Sequence, residues 1–377
     1  MLWFEPMNFK AVLKILGGVV LCAQTVQACP PEVEAMKSKF LGNMSVCEIH
    51  DRYQNALSKL RAQGVKDPEA IGNLKAPRFI FRPDWLKARS TDPQLALKLY
   101  KPAPNTWLDW AAAAKIVDTE AANNFANKKL PLISIEWLKN VHGQSLSGLS
   151  PRAAEFRKIP VLGPNVFASS ALTIDKAAGV QSIKYQSALH PGTPLVTFTP
   201  TQCLEDRDAA FNQLFWEQYK NNRMIKSDQW PALPENSSFT AADGTQRTCG
   251  FIRYAAAEEV EPQLQRWVNF VNHTTRTWGS LQPENDPIVV AMHAQRWFVS
   301  IHPFEDGNGR VSRFAMEWLL KSVGLPAPVI EDMNNDMYMT EGMWARELGI
   351  GIRRAIVELE SCSRDLSQPG CQPIASK

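Results

Sequence analysis

Neither sign of charge is in surplus along this chain. Against 41 Lys and Arg stand 38 Asp and Glu, a formal charge of +3 over 377 residues. No basic field calls for nucleic acid, and no acidic excess marks a solvating tail. No two cysteines have the two-residue spacing of a zinc site. No unit of about 30 to 45 residues recurs, which excludes solenoids. A Walker A loop, a His-Glu-x-x-His pair and a nucleophile elbow are all missing. What is present is globular: 45% of residues are hydrophobic and 9% aromatic, enough to bury one large core or two modest ones.

The first residues read as a removable leader. Lys10 and Lys14 precede an apolar stretch from Ile15 to Val26, too short to span a bilayer comfortably. Val26-Gln27-Ala28 sets small or aliphatic residues where a signal peptidase reads. A buried N-terminal helix fits less well, because neither a cap nor a polar face is visible. Cleavage after Ala28 leaves 349 residues, with no transmembrane segment expected in them, and discards Cys22 from the seven cysteines. The remaining even set, Cys29, Cys47, Cys203, Cys249, Cys362 and Cys371, predicts structural disulfides in an oxidising compartment. Six cysteines allow 15 connectivities, of which pairing between sequence neighbours is the simplest. A lipoprotein acylated at Cys29 fits less well, since Gln27 is awkward before the cleavage site. The expected location is periplasmic or secreted, including delivery into another cell.

Past the leader the pattern is mainly α. Apolar residues step by three or four through Val46, Ile49, Tyr53, Leu57 and Leu60, one face of a helix. Pro77, Pro83, Pro93, Pro102 and Pro104 then predict loops and short elements. A second helix begins near Thr106, and a third follows Pro131 through Ile135, Leu138 and His142, expected to stop at Gly143. From about 158 to 249, many prolines and alternation such as Leu195-Val196-Thr197-Phe198-Thr199 predict an inserted, irregular or β subdomain. The expected organisation is a leader at 1–28, an N-terminal helical region at 29–105, a main domain at 106–358 carrying that insertion, and a tail at 359–377.

The chemistry concentrates at Ile301 to Arg313. Asp286-Pro287 predicts a helix start, an N-cap followed by a first-turn proline, and Pro303 ends that helix. A second apolar-rich helix is expected from Arg310 to Val323, closed by Gly324 and Pro326. The Gly307-Asn308-Gly309 turn therefore lies just before a helix N-terminus, where unpaired N–H groups and the positive dipole end favour an anion. Glycines there let a phosphate approach the backbone closely. Arg310 and Arg313, three residues apart, share a face and can fork onto phosphate oxygens. Asp306 is a hard oxygen ligand suited to Mg²⁺ held against the same phosphates. His302 is the nearby group whose ordinary pKa suits proton transfer at neutral pH. Phe304 reads as an anchor that pins the loop to the core.

The string His302-Pro303-Phe304-Glu305-Asp306-Gly307-Asn308-Gly309-Arg310-Val311-Ser312-Arg313 resembles the Fic-family signature His-Pro-Phe-x-(Asp/Glu)-Gly-Asn-Gly-Arg-x-x-Arg, with every specified position filled. Leu132 to His142 and then Ala153-Ala154-Glu155-Phe156-Arg157 look like the family's earlier helix and its Ala-Gly-Glu-(Tyr/Phe)-Arg segment, Ala154 replacing the usual glycine. Phe251 to Glu261 and Leu264 to Phe270 look like the flap hairpin and the helix after it. The resemblance implies a Fic-type helical bundle with a β-hairpin flap, and transfer of AMP from ATP to a protein Ser, Thr or Tyr hydroxyl.

In that reaction His302 would deprotonate the hydroxyl and Asp306 would hold Mg²⁺. The turn would cradle the phosphates, and Arg310 with Arg313 would neutralise the departing pyrophosphate. The flap residues Phe251, Ile252, Arg253 and Tyr254 would align an extended target segment by strand addition, although an ordinary buried strand fits them as well. Related families transfer UMP, phosphocholine or a phosphoryl group, and a non-catalytic nucleotide-binding module would keep the same cradle. The literal match to the family's self-inhibitory pattern, Ser280 to Asn285, contains Pro283 and directly precedes the motif's own helix, so restraint by export or by a separate inhibitor protein is expected.

Other patterns have plainer readings. His142 and His293 lie on helices among apolar neighbours and read as satisfied core histidines. Asp332-x-Asn334-x-Asp336 begins like a calcium loop, but Met337 and Met343 replace its turn glycine and its bidentate glutamate.

Overall fold

The computed structural model describes residues 29, 33, 36–42, 44–71, 104–127, 129–146, 152–158 and 161, six strands between 166 and 253, and residues 254–276, 286–330, 336 and 341–371. The leader, the Pro77–Pro102 stretch, Cys203, the Ser280–Asn285 segment and the end of the tail lie outside the described residues.

Helix α1 (Val46–Ala62) starts where the Ser45 side chain and Glu48 cap each other's backbone amides, a reciprocal capping box. It buries Val46, Ile49, Tyr53, Leu57 and Leu60, the face given by their spacing. Helices α2 (Pro104–Ala126) and α3 (Ile135–Leu146) follow. Gly143 does not stop α3, which runs on to Leu146. A Cβ placed on Gly143 would lie 3.3 Å from that of Ala154, so the glycine makes room for a packed neighbour.

Strands β1 (Val166–Ala168), β2 (Thr173–Asp175), β3 (Val180–Ile183), β4 (Val196–Pro200), β5 (Ser238–Thr240) and β6 (Gln246–Arg253) form one sheet. Its order is β1-β6-β4-β3-β2, with β5 also on β6, and every pairing is antiparallel. β6 is the long axis of the sheet, and its C-terminal end leads directly into the helical body.

That body comprises α4 (Val260–Arg276), α5 (Pro287–Ile301), α6 (Asn308–Ser322) and α7 (Glu341–Arg364) with the earlier helices. Every residue of α5 except Val289 is buried, so it forms the central rod. Asp286 caps it through Ile288 N–H at 2.9 Å, and Pro287 fills the first position, as the sequence predicts. α4, α6 and α7 surround α5, and α6 also lies against α2 and α3. The wholly buried Trp267 of α4 donates its indole N–H to the Ala294 carbonyl of α5 at 2.8 Å. Near the end of α6, half-buried Lys321 reaches Glu69 at 2.6 Å and Asp118 at 2.7 Å, which joins three segments of the chain.

A second apolar cluster sits between α1 and α7, formed by Tyr53, Leu57 and Leu60 with Ala355, Leu359 and Cys362. The Cys362–Cys371 disulfide, with Cα atoms 5.3 Å apart, closes it. α7 runs through the boundary expected at 358, so that chain end belongs to the core. Cys29 and Cys47 form a second disulfide, with Cα atoms 5.7 Å apart, and Cys249 is on β6. Among the described residues no helix is long and apolar enough to cross a membrane.

Replacing Cys362 and Cys371 together by Ala is expected to cost about 2–3 kcal/mol, the loop-closure value for a short loop. Urea unfolding of the double variant checks this through its midpoint, which is expected to fall.

Candidate active site

The turn between α5 and α6 is built by two residues with left-handed backbone. His302 ends α5 at φ 52° and donates its N–H to the Phe298 carbonyl at 3.0 Å. Gly307, at φ 76°, precedes α6, which starts at Asn308, two residues before the position expected from sequence. Gly307 meets two demands: its φ disfavours any side chain, and a Cβ would approach Leu146 Cδ1 to 2.7 Å and the His142 ring to 3.4 Å. Phe304 is fully buried and stacks on His142 with centroids 3.6 Å apart, which places it as the anchor of the loop. The Asn308 side chain turns inward: it accepts from Phe304 N–H at 2.9 Å and donates to the Phe304 carbonyl at 2.8 Å. Asn308 thus braces the loop with its side chain and faces the helix start only through its backbone.

His302 is partly buried, and its ring is fixed on two sides. Nδ1 lies 3.1 Å from the Val299 carbonyl. A carbonyl only accepts, so the hydrogen is on Nδ1 and the lone pair is on Nε2. Tyr254 stacks on the ring at 3.7 Å, with planes 17° apart. Burial pushes the imidazole down to about 3, the charge of Arg157 adds to this, and the bond to Val299 opposes it. Tyr254 is itself buried, and its phenol is raised above the ordinary range by desolvation.

At the other end of the turn is the start of α6, where the sequence predicts an anion to bind. Helix geometry leaves Asn308 and Gly309 N–H with no intrahelical acceptor. Among the described residues, a Cβ on Gly309 would meet nothing nearer than Arg313 Nη2 at 4.0 Å. Arg310 donates to the Ser145 carbonyl at 3.2 Å and lies 3.5 Å from Asp306 Oδ2, and Arg313 is buried one turn below. Asp306 accepts from Gly307 N–H at 2.6 Å, yet its side chain is 75% exposed. No group of three metal-binding side chains occurs among the described residues. An exposed carboxylate such as Asp306 is of the type that suits Mg²⁺, which takes one or two carboxylates and completes its shell with substrate oxygens and water.

Residues outside the motif hold this turn in place. His142 accepts from Ala154 N–H at Nδ1, 2.8 Å away, and donates from Nε2 to the Asp306 carbonyl at 3.0 Å. It is a satisfied histidine, as its apolar setting predicts, and burial takes it down to about 4. Ala154 adopts φ 69°, so the position where the resembling segment carries glycine keeps the left-handed backbone without the residue that favours it. Arg157, 2% exposed, donates to the His302 carbonyl at 2.6 Å and to those of Ile301 and Ala255. Sequence reasoning placed Arg157 in a family segment without a role, and its charged neighbours Arg152, Glu155 and Lys158 give no local signal of burial. Phe251, Ile252 and Arg253 end β6, whereas Tyr254 points inward to the base and away from the expected docking edge.

Both imidazoles are lowered, so the folded state keeps them neutral while the unfolded chain protonates near 6.5. Their contribution to stability is complete above that value and declines as pH falls toward 4. Imidazole resonances of His302 and His142 are expected to titrate below pH 5 by NMR, His302 as the Nδ1–H tautomer; a His302 midpoint near 6.5 contradicts the burial described here. Ala154→Gly is expected to hold stability within about 1 kcal/mol, because relief of the left-handed strain offsets the added freedom of the unfolded chain. Ala154→Val, with a β-branched side chain, is expected to lower the melting temperature clearly.

Residues 217–320 match the Fic/DOC family model, a span that takes in α5, the turn and nearly all of α6. A Fido domain-containing protein of Dictyostelium discoideum is 45% identical over 56 residues, 15% of this chain and 39% of that protein. A uridine 5'-monophosphate transferase of Xanthomonas campestris pv. campestris is 31% identical over 74 residues, 20% of this chain and 14% of the relative. Protein adenylyltransferase Fic of Drosophila persimilis is 38% identical over 76 residues, 20% and 13% of the two chains. The chain thus spans well under half the length of each curated relative. The matched span includes the residues that build the turn and the start of α6, and over that span this chain is similar to the Fic/DOC family.

Proposed function

We propose that this chain is a protein adenylyltransferase, moving AMP from ATP to a Ser, Thr or Tyr hydroxyl of a target protein with release of pyrophosphate. One observation carries the reading: an imidazole with its Nε2 lone pair free stands across a single turn from an arginine-flanked helix N-terminus. In the reaction His302 Nε2 takes the proton of the target hydroxyl. The oxygen forms its bond to the α-phosphorus as the bond from that phosphorus to the bridging oxygen breaks. Arg310 and Arg313 neutralise the charge that leaves with pyrophosphate, and the amides of Asn308 and Gly309 hold the phosphates in line. Asp306 would hold Mg²⁺, which would supply further positive charge against the triphosphate.

A protein target is supported by the edge of β6. β1 pairs with β6 only up to Gly250, whereas β4 pairs with Phe251 to Arg253 from the other side. The edge of Phe251–Arg253 opposite β4 has no partner strand among the described residues and suits addition of an extended target segment. Two disulfides and the leader support folding in an oxidising compartment after export. Because ATP is scarce there, the working site is placed in another cell or in an ATP-supplied lumen, and restraint before arrival is assigned to export or to a separate inhibitor protein.

The similarity to a uridine 5'-monophosphate transferase favours one second reading, with UTP as donor. Incubation of the protein with α-labelled ATP, UTP or CTP and Mg²⁺ separates the readings. Label from ATP, lowered at least about 100-fold in His302→Ala, is the expected result, measured as incorporation into the protein or into a host lysate. Label from UTP alone establishes the second reading, and tight nucleotide binding without any transfer overturns both.

A further inference from the structure

The last turn of α5 ends in buried carbonyls that the helix itself leaves without donors. Three of the groups around this end bind one side chain from a distant part of the chain. The Arg157 guanidinium donates from Nε to the His302 carbonyl at 2.6 Å and from Nη2 to the Ile301 carbonyl at 3.3 Å. Nη2 also donates to the Ala255 carbonyl, and Arg157 N–H donates to the Pro303 carbonyl at 2.9 Å. Ala255 directly follows Tyr254, whose ring lies on the imidazole, and Tyr254 directly follows the last residue of β6. One planar fork therefore bridges the backbone of the base and the backbone that emerges from the docking strand.

We propose that Arg157 and Tyr254 are positioning residues that bind His302 and the end of β6 into one unit, so that a target segment seated on β6 is in register with Nε2. This inference rests on the transfer reaction proposed above. The geometry favours it in three ways. His302 has a left-handed φ, a conformation that side chains rarely keep unless the surroundings impose it, and Arg157 holds the carbonyl of that very peptide. Tyr254 covers a face of the ring and leaves the in-plane edge at Nε2, where a hydroxyl proton must be taken. A lysine, with one point of charge, cannot reach carbonyls of two separate segments in the way a planar fork does. Burial lowers the guanidinium only to about 10, so it stays charged at neutral pH and its charge disfavours protonation of the base.

The test uses the full chain and autolabelling with α-labelled ATP and Mg²⁺ as the probe. Arg157→Gln, Arg157→Lys, Tyr254→Phe and Tyr254→Leu are compared with the parent by maximal rate, half-saturating ATP and unfolding midpoint. Arg157→Gln is expected to lower the maximal rate about 100-fold with half-saturation changed less than about threefold, and Arg157→Lys to recover part of that rate. Tyr254→Leu, which loses the stack, is expected to run at least about tenfold slower than Tyr254→Phe. Nitrogen NMR of His302 supplies a readout independent of transfer: loss of the fork is expected to mix its tautomers and raise its titration midpoint.

A folded Arg157→Gln with parental rate and parental His302 resonances overturns the proposal, as does a rate loss matched by weaker ATP binding. If Arg157→Gln does not fold, Arg157→Lys and Tyr254→Leu decide by the same measurements. If the parent protein transfers no nucleotide, the functional reading has failed, and the His302 resonances alone decide whether Arg157 and Tyr254 fix the imidazole.

Discussion

Two buried helices must reverse direction across residues 302–307, and the rest of the site follows from how that reversal is made. Left-handed backbone at His302 and at Gly307 turns the chain twice, and Phe304 with Asn308 closes the middle of the turn. The reversal brings the C-terminal end of α5 and the N-terminal end of α6 to one place. These ends carry opposite partial charge. The negative end receives the Arg157 guanidinium and carries His302; the positive end lies beside Asp306 and two arginines. A polarised site therefore comes from backbone geometry first, and the side chains complete it.

The support for this turn comes from early in the chain. α3 supplies His142, which relays a hydrogen bond from the strained Ala154 peptide to the Asp306 carbonyl. Gly143, on the same helix, gives Ala154 room, while Leu146 and His142 together leave space for nothing larger than glycine at 307. A neutral imidazole is the form that can accept on one nitrogen and donate on the other, and burial keeps His142 in that form. The turn proposed to face phosphate is thus shaped from beneath by groups outside the motif.

Much of this was legible in the sequence. The Asp286-Pro287 start, the α1 face and the motif turn rest on local rules, in which capping, periodicity and glycine act within a few residues. Phe304 and His142 were recognisable as interior groups from their apolar surroundings. Gly143 misled because a glycine after an apolar run signals a stop on local grounds, whereas here it is a packing gap matched to Ala154. The role of Asn308 was hidden because its type suits phosphate contact and loop bracing equally. Tyr254 was read only as a flap residue and Arg157 was given no role, since their contacts with His302 lie about 48 and 145 positions away and no periodicity encodes such distances. The same holds for α7, whose burial depends on α1 at the other end of the chain.

The surroundings of Gly309 have an implication for nucleotide choice. Among the described residues, the groups named at this helix start are backbone amides and two guanidinium groups, which respond to negative charge and do not distinguish one nucleobase from another. A pocket of this kind reads currency without reading denomination. Chains that share the turn atom for atom are therefore free to diverge in the nucleotide they spend, and the determinants of that choice belong to surfaces that the motif does not contain.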